Sequence, residues 1–346
     1  MSLYQENGYV DFDWIRRQRM TWNIIIGGRG TGKTVTALGD CQLSGIRIVY
    51  MRRTQSQLDN AGTRELSPYK AVNSVFGCNV EPDPAGKNIY KFSHITYDEE
   101  GKRVLGDPVA YGVALSTLSN LRSIDLSDCD ALIYDEFIPE KHERPIRHEA
   151  TAFFNAFETI NRNREIQDRK PLQVFLMANA NSFNVPLLVE MKVTRIISQM
   201  QRSGSELYVS PQRSLLIAQL MDSPISRKKR ETALYRLTEG SGFADMSLKN
   251  VFDLDRSDVH SKPIREYDPL CGIGEVTIYK HKSSRRLYVS ASRSGSTPVY
   301  DTDGLSYDRF LTVWYPIIYA AILEERIDFE SDTEKALLLT YLDIKD

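Results

Sequence analysis

An eight-residue segment near the N-terminus has the residue types and spacing of a phosphate-binding loop. Residues 27–34 read Gly-Gly-Arg-Gly-Thr-Gly-Lys-Thr, which fits the pattern GxxxxGK[ST], and they follow the apolar run 22–26. This order predicts a strand that leads through the loop into a helix. Glycine leaves room for successive backbone N–H groups to face one anion. The residues expected to contact nucleotide phosphates are Gly27, Gly28, Arg29, Gly30, Thr31, Gly32, Lys33 and Thr34.

Two residues of this loop and an adjacent pair of acids predict ATP hydrolysis with Mg²⁺. Lys33 is expected to reach the β and γ phosphates and Thr34 to bind the metal. Asp135 and Glu136 follow the apolar run 131–134. Asp135 is expected to hold Mg²⁺ through a water, and Glu136 to polarise the water that attacks the γ phosphate. Taken alone, the acidic pair is also typical of an ordinary turn after a strand.

The order of apolar runs predicts an α/β fold with a mostly parallel sheet. One run, 46–51, lies between the loop and the acidic pair, and another, 174–177, follows and ends beside Asn179. Continuous apolar runs suit strands that are buried on both faces. We therefore expect the additional-strand (ASCE) class of P-loop ATPases, with Asn179 as the sensor of the γ phosphate. A turn or helix cap is an equally good interpretation of Asn179 from its residue type.

Four arginines are candidates for stabilising charge in the transition state. Arg29 lies inside the loop, Arg122 precedes the acidic strand, and Arg162 and Arg164 lie near the end of a helix predicted over 150–164. In a ring ATPase, such a cation comes from the adjacent subunit. For each arginine, a solvated surface charge is the alternative.

Changes in pattern along the chain predict three parts. We expect a P-loop ATPase domain over 1–218, a linker with a basic helix over 219–252 and a small α+β domain over 253–346. Within the first part, residues 88–115 are typical of an inserted hairpin. Within the last part, strands are expected at 274–279 and 286–290 and a helix near 315–324.

Charge is segregated along a chain that is nearly neutral overall. The 346 residues carry a net charge of −2, yet residues 192–236 hold nine cations and three anions, 280–293 hold five cations and no anion, and 301–346 hold eleven anions and four cations. Basic clusters without acids favour contact with a phosphate backbone, although solvated faces are commoner.

The four cysteines lack CxxC spacing, which argues against a zinc or disulfide framework and favours a reducing compartment. Neither a secretory signal nor an apolar run of about 20 residues is found, so no membrane role is expected.

Taken together, these segments resemble the DNA-packaging ATPases of small, protein-primed tailed phages, which are compact relatives of the terminase large subunit. The likeness covers most of the chain in the same order. Its loop and acidic pair are common to many ATPases, whereas the loop arginine, Asp-Glu-Phe and Arg-Asn-Arg-Glu are more specific. The segments that carry it are 26–34, 50–53, 134–137, 161–165, 178–180 and the spaced residues Arg236, Leu237, Gly240, Met246, Ser247, Asn250 and Phe252.

The resemblance implies roles for individual residues. Arg53 would join the loop in binding the nucleotide, and Asn179 would couple hydrolysis to movement. Arg162 matches the trans-acting finger of the family, and Arg122 stands where a relative has a trans-acting lysine. The C-terminal domain would resemble an RNase H-like nuclease that has lost its metal carboxylates, since Glu275 is the one acid on its two predicted strands.

The resemblance also implies partners and a location. We expect a homo-oligomeric ring of five subunits on the capsid portal, which drives double-stranded DNA into the capsid, with a packaging RNA as a further partner to be tested. Its place would be the cytoplasm of the infected bacterium, transiently on the procapsid and outside the mature virion. Two alternatives stay open at this point: a helicase-type DNA-dependent ATPase, and a nucleotide-dependent DNA-binding assembly protein.

Overall fold

The computed structural model describes residues 3–121, 125–140, 143, 146, 148–179, 185–221, 223–238 and 258–343. Its helices are α1 Phe12–Arg17, α2 Lys33–Leu43, α3 Gln55–Ala61, α4 Tyr69–Phe76, α5 Glu149–Asn161, α6 Pro186–Glu190, α7 Thr194–Ser203, α8 Pro224–Lys229, α9 Ala233–Leu237, α10 Gly304–Val313, α11 Tyr315–Leu323 and α12 Asp332–Tyr341. Its strands are β1 Trp22–Gly27, β2 Ile48–Arg52, β3 Val80–Gly86, β4 Ile89–Tyr97, β5 Arg103–Ala114, β6 Ala131–Asp135, β7 Gln173–Ala178, β8 Leu207–Ser210, β9 Leu215–Leu220, β10 Tyr267–Ile273, β11 Val276–His281, β12 Leu287–Ser290, β13 Val299–Tyr300 and β14 Ile327–Phe329.

The chain divides into two compact units with interrupted boundaries. One unit comprises Met1–Asn181 and Met200–Val251, and the other comprises Ser182–Gln199 and Phe252–Asp346. The expected division into three parts stays a prediction, and in the structure α6 belongs with the second unit. Val189 of α6 is buried in the apolar core that the second sheet forms with its helices.

A nine-stranded sheet organises the larger unit and has the strand order β3-β4-β5-β2-β6-β7-β1-β9-β8. From β5 to β9 all neighbours are parallel, whereas β3, β4 and β8 are antiparallel additions. Strand β7 lies between β1, which leads into the loop, and β6, which ends in the acidic pair. The predicted α/β fold with an additional central strand is therefore confirmed.

The central strands form where the sequence has continuous apolar runs. All five residues of β6 are buried, as are the last five of β1 and the last five of β7. Parallel strands covered on both faces have this composition. Because parallel strands share their direction, the carboxyl ends of β1, β2, β6 and β7 meet at one edge of the sheet, where the loop and acidic pair are also found.

The smaller unit contains a five-stranded sheet in the order β13-β10-β11-β12-β14. Strands β10, β11 and β12 are successive antiparallel neighbours, and β13 and β14 add in parallel at the two edges. The expected strands at 274–279 and 286–290 and the helix near 315–324 are observed as β11, β12 and α11. Glu275 lies in the turn before β11 and pairs with Arg195 at 3.2 Å. The likeness to an inactive nuclease stays a prediction.

Within the described part of the chain, no helix combines the length and apolar character needed to cross a bilayer.

Candidate active site

The loop between β1 and α2 adopts a backbone that only glycine accommodates easily. Gly30 and Gly32 have φ angles of 79° and 81°. Gly32 is also the N-cap of α2, and a Cβ atom placed on it would lie 2.5 Å from Cγ of Tyr9. A side chain at this position would therefore face both an unfavourable φ and a direct clash. The first turn of α2 begins at Lys33, so its free N–H groups and dipole face the loop.

Lys33 lies at the centre of the loop and is buried. Its Nζ donates to the carbonyl oxygens of Gly27 at 2.8 Å and Gly28 at 2.9 Å, and to Asn179 Oδ1 at 3.2 Å. Burial lowers the pKa of Lys33 to about 8, against the opposing effect of Asp135 and Glu136. A phosphate oxygen would favour the charged ammonium, which makes this position suited to an anion. Asn179, at the carboxyl end of β7, is thus placed against the loop lysine.

Asp135 is held by three donor side chains, one from α2 and two from β2. The hydroxyl oxygen of Thr34 lies 3.1 Å from both carboxylate oxygens of Asp135. The Tyr50 hydroxyl donates to Oδ2 at 3.0 Å, and Arg52 Nη1 donates to the same oxygen at 3.1 Å. Burial raises the pKa of Asp135, and Arg52 opposes this rise.

Glu136 is exposed beside this cluster and has an unusual backbone conformation. Its φ is 56°, a left-handed value that costs a non-glycine residue about 1–3 kcal/mol. The Glu136 carboxylate forms an ion pair with Arg52 Nη2. Burial opposes the charge of Arg52, but Tyr50, Asp135 and Glu136 raise its pKa above the ordinary value. Arg52 thus holds both acids at once.

Arg53 is bound to a buried glutamate, and its contact with nucleotide stays a prediction. The side chain is buried, with Nε and Nη2 each donating at 2.8 Å to the two carboxylate oxygens of Glu149. The Tyr134 hydroxyl adds a bond of 3.0 Å to the same acid. Arg52, its neighbour, is not among the residues predicted from the sequence. Side chains alternate along a strand, so Arg52 shares with Tyr50 the direction that leads to Asp135.

The arginine inside the loop lies at the surface. The Arg29 side chain is 60% exposed and forms an ion pair with Glu140. Its carbonyl oxygen accepts a hydrogen bond from Lys229 Nζ of α8. Lys229 was not singled out from the sequence, where it is one of four successive basic residues at 227–230.

The two arginines after α5 have different surroundings. Arg162 is the C-cap of α5, and its side chain is 41% exposed and pairs with Asp125 at 3.1 Å. Arg164 is buried, where it pairs with Asp130 at 3.2 Å and donates to the carbonyl oxygen of Ser127 at 2.9 Å. The Arg164 side chain is therefore bound within its own chain. Arg122 lies outside the described residues.

The donor set at the sheet edge fits Mg²⁺. A hydroxyl oxygen from Thr34 and a carboxylate from Asp135 are hard oxygen ligands, and Mg²⁺ commonly uses one or two such groups together with waters and phosphate oxygens. The described residues contain no cluster of three or more His, Cys, Asp or Glu side chains that would form a site of protein ligands alone. Bound at this edge, the metal would therefore also need oxygens from the nucleotide and water.

Comparison with known proteins assigns a family. A model of the podovirus DNA encapsidation protein (Gp16) family matches residues 84–282. The chain belongs to this family. The DNA packaging proteins of Bacillus phages phi29 and PZA are each 23% identical to it over 235 residues, which cover 66% of this chain. The aligned region spans 61% of the length of each of these two relatives.

Two solved structures of phage packaging motors have the same fold as this chain. The phi-28 gp11 DNA packaging motor superposes with a TM-score of 0.64 at 17% identity, covering 99% of this chain and 100% of its own. A chain of the bacteriophage phi-29 genome packaging motor assembly gives 0.60 at 16% identity, with the same coverage. These similarities extend over both units of the encapsidation protein described here.

Proposed function

We propose that this encapsidation protein is an ATP-hydrolysing motor that moves double-stranded DNA into a preformed phage capsid. The observation that carries the proposal is the contact between Thr34 and Asp135, which joins the phosphate-binding loop to the acidic pair. In a chain of the DNA encapsidation family, this arrangement supports hydrolysis linked to packaging. The relatives named as DNA packaging proteins support the same substrate.

Each side chain has a position that suits one task in hydrolysis. The loop N–H groups and Lys33 would bind the phosphates, and Thr34 and Asp135 would hold Mg²⁺, which neutralises charge on the phosphate oxygens when bound. Glu136 is exposed and follows Asp135 directly, so it would orient the attacking water. Asn179 touches Lys33 and would respond to the γ phosphate.

Arg52 adds control of the acidic pair to this scheme. Its ion pair with Glu136 occupies the carboxylate that would act on water. Hydrolysis therefore requires Arg52 to release Glu136. Because Arg52 also contacts Asp135, a change at the metal position would alter the same network.

A ring of subunits would supply the remaining cation. Arg162 is exposed at the end of α5 and can be presented to a neighbouring subunit, where its charge would stabilise the transition state. The exposed Arg29 is a second candidate. We propose that five subunits form a ring on the capsid portal and act on the procapsid in the infected bacterium. A packaging RNA is a further partner, which packaging assays with and without that RNA would test.

Steady-state ATPase activity tests the proposal against its two alternatives. We expect hydrolysis that rises on addition of double-stranded DNA, and no strand separation in a displacement assay. Unwinding of a forked duplex would favour a helicase. Slow hydrolysis that DNA leaves unchanged would favour a nucleotide-dependent assembly protein.

A further inference from the structure

One lysine of the basic segment 227–230 differs from its neighbours in position. Arg227, Lys228 and Arg230 are exposed, whereas Lys229 is partly buried. Its Nζ donates to the carbonyl oxygen of Arg29 inside the phosphate-binding loop. A Cβ atom placed on Gly30 would lie 2.6 Å from Lys229 Nζ and 3.0 Å from its Cε. Lys229 thus lies directly over the loop, and Gly30 leaves the space that it occupies.

The position of Lys229 is fixed by the packing of α8. Ser223 caps this helix by accepting a hydrogen bond from the Ser226 backbone at 3.0 Å, and both serines are buried. At the start of α8, Pro224 and Ile225 pack so closely on Gly8 that a Cβ atom there would lie 3.1 Å and 3.2 Å from their side chains. A helix anchored at its first turn delivers its last residue, Lys229, to the loop.

The charges around Lys229 favour an anion. Burial and the adjacent Arg29 lower the pKa of Lys229. Lys229 in turn contributes to the lowered pKa of Lys33, whose largest cause is burial. Both ammonium groups donate to carbonyl oxygens of the loop itself. A polyphosphate would relieve the repulsion between these cations and provide charged acceptors, which bind ammonium more strongly than neutral carbonyls do.

We propose that Lys229 is a second phosphate-binding lysine of the nucleotide site, supplied from α8 of the same chain and acting beside Lys33. The ligand group is the polyphosphate chain of a nucleoside triphosphate. This inference rests on the proposed function, since it assumes that the loop binds ATP. It also distinguishes Lys229 from Arg227, Lys228 and Arg230, whose side chains are exposed.

Titration calorimetry of the full chain with Mg·ATP tests this role. Lys229→Met removes the charge but keeps most of the side-chain volume, and Lys228→Met is the matched control on the exposed face. We expect Lys229→Met to weaken ATP binding by about tenfold or more, as loss of a charge-assisted bond does. Lys228→Met should bind as the wild type does, and Lys229→Arg should recover part of the affinity.

Thermal unfolding and DNA binding separate the possible outcomes. We expect Lys229→Met to unfold near the wild-type temperature without nucleotide, but to gain less stability from ATP. If the wild type binds ATP and Lys229→Met binds it equally well, the inference about Lys229 is overturned and the proposed function is not. The inference would also be overturned if Lys229→Met kept its ATP affinity and lost as much DNA affinity as Lys228→Met does. Absence of ATP binding by the wild type would overturn the proposed function as well.

Discussion

The hydroxyl oxygen of Thr34 lies 3.1 Å from both carboxylate oxygens of Asp135, although 101 residues separate them in sequence. This contact joins the first turn of α2 to the carboxyl end of β6. It brings together a hydroxyl and a carboxylate that both suit Mg²⁺. Hydrolysis should therefore depend on this pair as a unit.

Replacement of Thr34 by alanine should increase the requirement for Mg²⁺. We expect the concentration that gives half-maximal ATPase activity to rise by about 10- to 100-fold, because a metal ligand and its contact with Asp135 are lost together. Thr34→Ser keeps the hydroxyl and should stay near wild type. An unchanged Mg²⁺ dependence in Thr34→Ala would rule out Thr34 as a ligand.

Neighbouring arginines at the end of β2 should respond differently to substitution. Arg53→Ala leaves Glu149 buried without its cation, and we expect urea denaturation to show that the free energy of unfolding falls by about 3–5 kcal/mol.

Arg52→Ala removes the charge that opposes the raised pKa of Asp135. The Asp135 carboxylate should then protonate at higher pH, so the acid limb of ATPase activity should move upward. A downward or absent shift would contradict the proposed arrangement.

ATP binding should weaken above pH 8. The pKa of Lys33 is lowered to about 8, so the ammonium loses its proton as the pH rises through this value. Phosphate favours the charged form, and binding at higher pH must therefore take up a proton. We expect an affinity about tenfold lower at pH 9 than at pH 7, with proton uptake seen by calorimetry in buffers of different ionisation enthalpy. The trend should persist in Lys229→Met if Lys33 causes it, and equal affinities at both pH values would refute this assignment.

Two arginines after α5 provide a test of action between subunits. Arg162→Ala removes an exposed side chain, so the subunit should fold normally yet lower the ATPase activity of mixed rings by more than its mole fraction. Arg164→Ala should instead reduce stability, because it removes a buried donor to the carbonyl oxygen of Cys129 and the cation that pairs with Asp130. Activity that falls in proportion to the Arg162→Ala fraction would show that Arg162 acts within its own subunit.

Much of the central fold could be predicted because local composition determined it. Strands β1, β2, β6 and β7 are continuous apolar runs, and the loop motif fixes the order strand, loop, helix. Strand β10 was missed, since Tyr267–Ile273 includes Asp, Pro and Gly, which are uncommon in strands. The grouping of α6 with the second unit was also missed, because it depends on packing of Val189 rather than on sequence order.

The site was predictable where a motif sets the chemistry and not where tertiary contacts do. Lys33, Thr34 and Asp135 were identified by spacing and meet at the sheet edge. Arg52 and Arg53 are adjacent residues of one type, and only the positions of Asp135 and Glu149 distinguish them. Lys229 lies 200 residues from the Arg29 carbonyl that it contacts, and its sequence context is that of a solvated basic cluster.

Packaging of DNA by catalytically altered subunits tests the central claim most directly. Purified procapsids, viral DNA, ATP and either wild-type or Glu136→Gln protein would be combined, and nuclease-protected DNA measured. Glu136→Gln should retain ATP binding but lose the group that polarises water, so we predict protected genomes with the wild type and none with the variant. Normal filling of capsids by Glu136→Gln protein would contradict the account.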